Sequence, residues 1–279
     1  MTDYSPMLAP NKYPDITNLS YPLFIQPKYD GFRATFVPDK GFITRTGKRF
    51  KNLNLPLYFS AMINCGNTVL DGELWIRGKP LSEVQSLLTT EAAKIDCDLV
   101  FVVFDAVPLE DWKNRSCDLP YSSRLKLLRE KVTSVASFTK VLDISTDLVN
   151  SSAELAAIYK KHLTNGLEGA IIRSESGFYK WGRVGLTGDF FKLKPFKSVD
   201  IKVVGTFEGK GKLENTIGGI ICDYNGNEVR VGTGFSMDQR NEIYSNVNQF
   251  LGKIAEIKYL EETEKSLREP RFSRWRDDK

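Results

Sequence analysis

The order of strand-like and helix-like segments constrains the fold of this chain most strongly. Before Pro195 the two types are mixed without regular alternation, which favours an α+β fold with antiparallel sheets over a doubly wound parallel sheet. Apolar or alternating runs predict strands at Leu23–Lys28, Arg33–Val37, Phe42–Thr46, Thr68–Ile76, Asp98–Val107, Gly169–Arg173 and Phe190–Lys194. Helical periodicity predicts helices at Leu81–Leu88, Ser123–Val132 and Ser151–Leu163.

After Pro195 the pattern changes to strands with a single helical stretch. Asn225-Gly226 is a typical hairpin turn between two of these strands. Strands are predicted at Val199–Phe207, Gly218–Tyr224, Glu228–Gly232 and Lys253–Leu260, and a helix at Asp238–Phe250. Several short strands and one helix match an OB-fold β-barrel. We therefore expect two domains, residues 1–197 and 198–279.

The composition excludes several classes of protein. Of the 279 residues, 41% are hydrophobic and 27% charged, as in soluble globular proteins. No apolar run reaches the ~18 residues of a membrane span, and the first residues lack the basic and apolar regions of a signal peptide. The four cysteines have no C-x-x-C spacing and the one histidine, His162, lies in a helical pattern, so zinc, disulfide and histidine chemistry have little support. We expect a cytoplasmic protein with no export signal and no membrane contact.

The segment Lys28-Tyr29-Asp30-Gly31-Phe32-Arg33 is the sharpest chemical feature of the sequence. It follows directly on a predicted strand. A lysine in an apolar strand end, near cationic groups, would be partly deprotonated and could act as a nucleophile. A β-turn that carries a solvated lysine and arginine fits the same short pattern, so this segment alone does not decide between the two.

Further segments supply groups that suit a nucleotide. Asp71-Gly72-Glu73 places two carboxylates inside a predicted strand, and Glu168 stands at the start of another. Phe104 lies where an apolar run ends, which predicts an aromatic ring at a strand end. Phe190–Lys194 alternates, so its two lysines share one face. Each residue alone could be ordinary surface or core. Together they offer a stacking surface, carboxylates for a divalent ion or ribose, and cations for phosphates.

In this order the segments resemble the motifs of the ATP-dependent DNA ligases, members of the covalent nucleotidyltransferase superfamily with the RNA ligases and mRNA-capping enzymes. The last residues, Arg274-Trp275-Arg276-Asp277-Asp278-Lys279, are similar to the R-x-D-K ending of that family. Gly232–Phe235 and Pro270-Arg271-Phe272 are also ligase-like. The resemblance covers essentially the whole chain, and it implies a nucleotidyltransferase (adenylation) domain followed by an OB-fold domain.

The resemblance implies a reaction centred on Lys28. This lysine would attack the α-phosphate of ATP and form a lysyl-AMP phosphoramidate. AMP would then pass to the 5′-phosphate of a nick, and the 3′-hydroxyl would displace it to seal the strand. Gln26 would read the adenine edge, Phe104 would stack on the purine and Glu73 would hold the ribose.

The remaining implied contacts are ionic. Further contacts with the nucleotide and its phosphates would come from Arg33, Arg45, Glu168, Lys192, Lys194, Arg276 and Lys279, with Asp278 helping to orient pyrophosphate. Mg²⁺ or Mn²⁺ would be bound by Asp71, Glu73 and Glu168, since hard cations prefer carboxylates. Nicked double-stranded DNA would be the substrate. We expect a monomer, and the sequence names no protein partner.

Two alternatives remain open at this point. An RNA ligase or capping-type nucleotidyltransferase would use the same lysine chemistry, and a non-catalytic nucleic-acid-binding protein could retain the same fold. Other phosphate-binding devices are absent from the sequence, which contains no G-x-x-x-x-G-K-[ST] and no G-x-G-x-x-G.

The charge distribution favours a nucleic-acid partner. The net charge is only +4, but between Tyr179 and Lys212 eight lysines and arginines stand against three carboxylates. Such a local excess of cations suits phosphate tails and a DNA backbone. The connection Glu208–Gly218 is short, so we expect no long hairpin that would encircle DNA.

Overall fold

The computed structural model describes residues 5–10, 15–136, 140–185 and 189–278. Its contacts divide the chain into two compact units, Met1–Leu193 and Lys194–Lys279, each with a hydrophobic core of its own. Among the described residues, no helix combines the length and the apolar character needed to cross a membrane.

The first unit contains two sheets and several helices. Its strands are β1 (Leu23–Lys28), β2 (Phe32–Val37), β3 (Gly41–Thr44), β4 (Thr68–Ile76), β5 (Leu99–Pro108), β6 (Val141–Asp143), β7 (Asp147–Val149), β8 (Gly169–Ser174) and β9 (Phe190–Leu193). Its helices are α1 (Leu55–Tyr58), α2 (Leu81–Thr89), α3 (Leu109–Asn114), α4 (Tyr121–Ala136) and α5 (Ser152–Thr164). The strand orders are β7-β1-β8-β9 and β3-β2-β4-β5-β6.

The four-stranded sheet has one apolar and one polar face. Ile25, Ile172 and Phe191 are buried on the apolar face, together with Leu155 of α5. Because side chains alternate along a strand, Gln26 and Lys28 of β1 project to the opposite face. Helix α5 begins at the N-cap Ser151, whose side chain accepts a hydrogen bond from the backbone N–H of Glu154 at 3.2 Å.

The five-stranded sheet is divided in the same way. Leu70, Leu74, Phe101 and Val103 lie in a core that also contains residues of α2 and α4. The other face of β4 carries Asp71, Glu73 and Trp75, by the same alternation. All pairings in the two sheets are antiparallel except β5 with β6, which is parallel. The predicted α+β class with antiparallel sheets is thus confirmed, with that one exception.

The second unit contains a five-stranded sheet, a two-stranded hairpin and two short α-helices. Its strands are β10 (Lys197–Glu208), β11 (Ile217–Tyr224), β12 (Asn227–Val231), β13 (Ile254–Tyr259), β14 (Glu261–Glu262), β15 (Leu267–Arg268) and β16 (Arg271–Trp275). Five of them form a sheet in the order β12-β11-β10-β13-β16, whereas β14 and β15 form a separate hairpin. One parallel bridge, Thr233 to Arg271, joins the ends of that order, so no continuous ladder closes a barrel among the described residues.

Several local expectations need correction. The stretch Asp238–Phe250 forms two helices, α6 (Met237–Ser245) and α7 (Val247–Phe250), because Asn246 leaves the helical region with φ −136° and ψ 38°. The sequence pattern did not reveal β16, whose alternation is interrupted by charged residues. The very short β6 and β7 were also missed, since three residues are too few for a periodic signal.

Candidate active site

The polar face of the four-stranded sheet brings several of the predicted residues together. In the ladder, Gln26 of β1 lies opposite Ile171 of β8, which lies opposite Lys192 of β9. Residues opposite one another in adjacent strands share a face. A cavity in the first unit is lined by residues of both sheets, among them Gln26, Lys28, Arg33, Glu73, Phe104, Ile171 and Arg173.

Lys28 lies at the end of β1, where its side chain contacts Glu168. The backbone pairs them as well, since the N–H of Glu168 donates to the carbonyl of Lys28 at 3.1 Å. Both side chains are largely buried, with 24% and 21% of their surfaces exposed. The sequence suggested cationic neighbours for this lysine, but its nearest partner is a carboxylate.

Glu73 shares the cavity and is only partly buried. Burial raises the pKa of Glu73 to about 7, against the opposing pull of Lys28 and Arg33. Glu168 and Asp71 act in the same direction as burial, because a second carboxylate disfavours a further negative charge. Glu73 is therefore a carboxyl group whose protonation changes near neutral pH.

Asp71 does not fit the predicted role of metal ligand. Both of its oxygens accept hydrogen bonds from Arg33, at 2.7 Å each, and Oδ2 also accepts one from the Tyr179 hydroxyl at 2.7 Å. The side chain is almost fully buried and is neutralised by Arg33. No cluster of three metal-ligating side chains occurs in the part of the chain that the structure describes. Of the three predicted ligands, Glu73 and Glu168 remain beside Lys28, which suits Mg²⁺, an ion commonly bound by one or two carboxylates together with substrate phosphates.

Phe104 lies at a β-bulge inside β5 and not at a strand end. Asp71 pairs with Asp105 while Gly72 pairs with Val103, so Phe104 is the additional residue between them. Bulges redirect a side chain, and here the consecutive residues Phe104 and Asp105 both contact Arg173. The Phe104 ring packs against a cluster of Val100, Val102 and Ile144, and the Arg33 guanidinium lies 4.3 Å from its centroid. Asp105 bonds to Arg173.

Gln26 is fully buried and its carboxamide is held by several partners. Nε2 donates to the hydroxyls of Tyr121 and Thr146, and Oε1 accepts from Arg173 Nε at 3.2 Å. Arg173 also donates to Asp105 at 2.8 Å. Because an amide oxygen has two lone pairs, Oε1 can accept one further hydrogen bond from a ligand.

The group beneath Gln26 is a buried ion network that the sequence did not reveal. Burial by itself acts to raise the pKa of Asp105, but Arg124 and Arg173 hold it below its ordinary value. Arg124 donates to both oxygens of Asp105, at 2.7 and 3.2 Å. Only the spacing of these residues in three dimensions identifies the network, since Arg173 follows Asp105 by 68 residues.

Arg45 lines a second cavity that shares Arg33 and Glu73 with the first. Thr44, Thr46 and Gly31 also border it. Gly31 is required there, since a Cβ at this position would lie 2.6 Å from the carbonyl oxygen of Leu74. The two cavities therefore meet at Arg33 and Glu73.

The other predicted phosphate contacts are placed as follows. Lys192 occupies β9 opposite Ile171, and Lys194 follows that strand directly. In the second unit, Arg276 donates to Asp200 at 2.6 Å and to both oxygens of Asp278 at 2.8 Å. Lys279 lies outside the described residues.

Family models of DNA ligase domains match both units of the chain. Residues 6–194 match the family model for the ATP dependent DNA ligase domain, and residues 208–276 match the DNA ligase OB-like domain. The latter match agrees with the strand content of the second unit and supports the predicted OB-type class.

Curated relatives carry the same description. The chain is 26% identical over 297 residues to the DNA ligase of Enterobacteria phage T4, covering 86% of this chain and 60% of that protein. It is 25% identical over 256 residues to the DNA ligase of Haemophilus influenzae, covering 90% and 85%. For the DNA ligase 2 of Methanosarcina acetivorans the match spans 52% of the relative's length. The chain thus spans between about half and two thirds of several relatives that it matches.

Solved structures show the same two-part architecture. The Chlorella virus DNA ligase-adenylate superimposes with a TM-score of 0.60 at 25% identity, over 100% of both chains.

Proposed function

This chain belongs to the ATP-dependent DNA ligases, and we propose that it seals nicks in duplex DNA through a lysyl-AMP intermediate on Lys28. One observation carries the proposal. Lys28 lies in a single cavity with an aromatic ring, Phe104, and with the charged side chains of Glu73 and Arg33, inside the region that matches the ligase family model.

The cavity suits an adenine nucleotide. The free lone pair of Gln26 Oε1 can accept from an exocyclic amino group such as that of adenine, and Phe104 offers a ring for stacking. Because Gln26 is fully buried, the cavity has to widen as the base enters. Glu73 would hold the ribose, and Arg33 and Lys192 would supply positive charge for the phosphates.

The first step forms a P–N bond and breaks a P–O bond. The Lys28 ammonium first gives up one proton, and the carboxylate of Glu168 in contact with it is the nearest acceptor. The neutral amine attacks the α-phosphorus, pyrophosphate leaves with the electrons of the P–O bond, and the nitrogen releases its second proton to solvent water. Such a transfer needs alignment and charge neutralisation more than strong acid–base chemistry.

A divalent cation fits beside this lysine. Glu73 and Glu168 would hold Mg²⁺ together with phosphate oxygens, and the ion would neutralise charge on those oxygens. Asp71 is not included, because both of its oxygens are occupied by Arg33 and Tyr179.

The later steps use the second cavity. AMP moves from Lys28 to the 5′-phosphate of the nick, and the 3′-hydroxyl then displaces AMP as the phosphodiester bond forms. Arg45 would bind the phosphate of the nick there, next to Arg33. Arg276 of the second unit would contact pyrophosphate once its hydrogen bonds to Asp200 and Asp278 are broken.

Intact-mass spectrometry tests the first step directly. After incubation with ATP and Mg²⁺ the wild type should gain the mass of one AMP, and Lys28→Ala should gain none. Lys113→Ala is the matched control, because the Lys113 side chain is exposed and forms an ion pair with the exposed Glu110. A wild type without an adduct would favour a non-catalytic nucleic-acid-binding protein.

A sealing assay tests the polymer. Two nicked duplexes are compared, one with a DNA strand and one with an RNA strand at the 3′-hydroxyl end of the nick. The enzyme should join the duplex whose 3′-hydroxyl end is DNA. Joining of RNA ends alone, or a requirement for GTP, would indicate an RNA ligase or capping-type enzyme instead.

A further inference from the structure

One terminal nitrogen of the Arg33 guanidinium belongs to a closed ring of hydrogen bonds. The Met7 N–H donates to the Tyr179 hydroxyl at 3.2 Å, and this hydroxyl donates to Asp71 Oδ2 at 2.7 Å. Arg33 donates to the same oxygen at 2.7 Å and to the carbonyl of Met7 at 3.2 Å. The ring therefore starts and ends on the backbone of one residue, Met7.

The backbone that follows Met7 is fixed by pairing with residues 182–184. The N–H of Leu8 donates to the carbonyl of Gly182 at 2.8 Å, and the N–H of Val184 donates to the carbonyl of Leu8 at 2.9 Å. Arg183 adds a bond from its side chain to the carbonyl of Ala9 at 2.8 Å. The Tyr179 hydroxyl is therefore hydrogen-bonded to Met7, the residue directly before this paired segment.

Tyr179 is suited to donate in this ring at every ordinary pH. It is 3% exposed, and burial together with the charge of Asp71 raises the pKa of Tyr179 well above its usual range. Its ring packs edge-on against Trp181 and tilted against Trp112, with centroids 5.1 and 5.8 Å away. The aromatic packing holds the ring, and the hydroxyl serves the hydrogen bonds.

The ring leaves one face of the guanidinium for a ligand. Nε and both hydrogens of one terminal nitrogen are used by Asp71 and Met7. The other terminal nitrogen has no hydrogen-bond acceptor among the described residues, and Arg33 lines both cavities. A guanidinium fixed on three of its five hydrogens can turn its remaining two in one direction only.

We infer that Tyr179 is a positioning residue which, through Asp71 and the Met7 backbone, aims the free amino group of Arg33 at the oxyanions of the bound nucleotide. The inference rests on the proposed function, and it adds to that function a residue that contacts no substrate. Asp71 is then an orienting group for Arg33.

Tyr179→Phe removes the hydroxyl and keeps the aromatic packing. We expect lysyl-AMP formation at subsaturating ATP to slow by about tenfold, the usual size for losing a hydrogen bond to a charged group. Tyr58→Phe is the matched control, because its hydroxyl bonds to the carbonyls of Cys97 and Leu99 outside both cavities. That variant should stay within about twofold of wild type, the range of ordinary surface changes.

A double-mutant cycle separates positioning from a general loss of structure. Lysine at position 33 cannot form the bidentate contact, so Tyr179→Phe should have almost no further effect in Arg33→Lys. If Tyr179→Phe slows the reaction by the same factor in both backgrounds, the residue does not act through Arg33 and the inference is overturned. Asp71→Asn provides a second route, since it weakens the same ring while keeping its shape.

Binding of α,β-methylene-ATP, measured by calorimetry, tests the inference without the chemical step. Weaker binding by about tenfold in Tyr179→Phe, absent in the Arg33→Lys background, supports it. Unchanged binding together with an unchanged adduct rate overturns it. A wild type that binds the analogue but forms no adduct contradicts only the proposed function.

Discussion

The ammonium group of Lys28 contacts the carboxylate of Glu168, a residue 140 positions later in the chain. The contact forms because β1 and β8 pair in antiparallel register, with Lys28 opposite Gly169. The residue that precedes β8 is thereby brought to the residue that ends β1. A carboxylate so placed can both hold the ammonium and accept its proton.

Glu168→Gln should therefore slow the formation of lysyl-AMP. The amide keeps the size and one acceptor oxygen of the side chain but takes no proton, so we expect a loss of about 100-fold. The initial rate of adduct formation, followed by quenched-flow sampling and mass spectrometry, measures it. Glu175→Gln, an exposed carboxylate after the same strand, serves as the control. A rate close to that of wild type would show that another group takes the proton.

The stability of the protein should depend on pH through Glu73. Its pKa is about 7 in the folded chain and 4.5 in the unfolded chain. The protonated carboxyl therefore stabilises the fold fully below the unfolded value, and this contribution is lost as the pH rises through the folded value. Burial of the ionised form is the physical cost.

Glu73→Gln removes that dependence because its amide never ionises. Relative to wild type, the variant should gain stability from about pH 5 to about pH 8, by up to about 3 kcal/mol. Thermal unfolding of both proteins across this range measures the difference. A stability difference between the two proteins that is the same at pH 5 and at pH 8 would show that Glu73 is already ionised in the folded protein at pH 5.

The buried ion network should be sensitive to loss of its single carboxylate. Asp105→Asn leaves Arg124 and Arg173 without a counter-charge, which is expected to cost about 3–5 kcal/mol. Asp98→Asn, which breaks an exposed pair with Lys140, should cost less than about 1 kcal/mol. Urea unfolding of the two variants side by side compares the costs, and similar values would argue that the network contributes no more than a surface pair.

Affinity for nicked DNA should fall steeply with salt. The link between β10 and β11 contains only one short turn, Gly211–Leu213, so we expect surface cations to supply the grip. Phosphate contacts release counterions, and between 50 and 200 mM salt the affinity should drop by about 10³-fold. Fluorescence anisotropy with a labelled nicked duplex measures the slope. A nearly flat dependence would point to contacts other than phosphates.

The sequence predicted those parts of the site that rest on local pattern. Lys28 and Gln26 belong to a strand predicted from its apolar residues, and Lys192 follows from alternation in β9. The ladder places Gln26 opposite Ile171, and Ile171 opposite Lys192. Glu73 was recognised as a carboxylate within a strand, although its raised pKa depends on neighbours that the chain brings from elsewhere.

The parts that could not be predicted depend on distant contacts. Tyr179 reaches Asp71 across 108 residues, and Gln26 reaches Tyr121 across 95. Asp71 was predicted as a metal ligand because the sequence does not show whether a carboxylate is free or already bound to an arginine. Phe104 was placed at a strand end because a bulge has no signature in the alternation of apolar residues.

The bulge at Phe104 adds to β5 one residue that its ladder with β4 does not use. Val103 pairs with Gly72 and Asp105 with Asp71, so a strand shortened by this one residue would form an unbroken ladder with the alternation intact on both sides. The ring thus occupies a position that the sheet itself does not need. A deletion of Phe104 would yield a chain that folds with a more regular sheet and lacks the ring on which we propose that the base stacks.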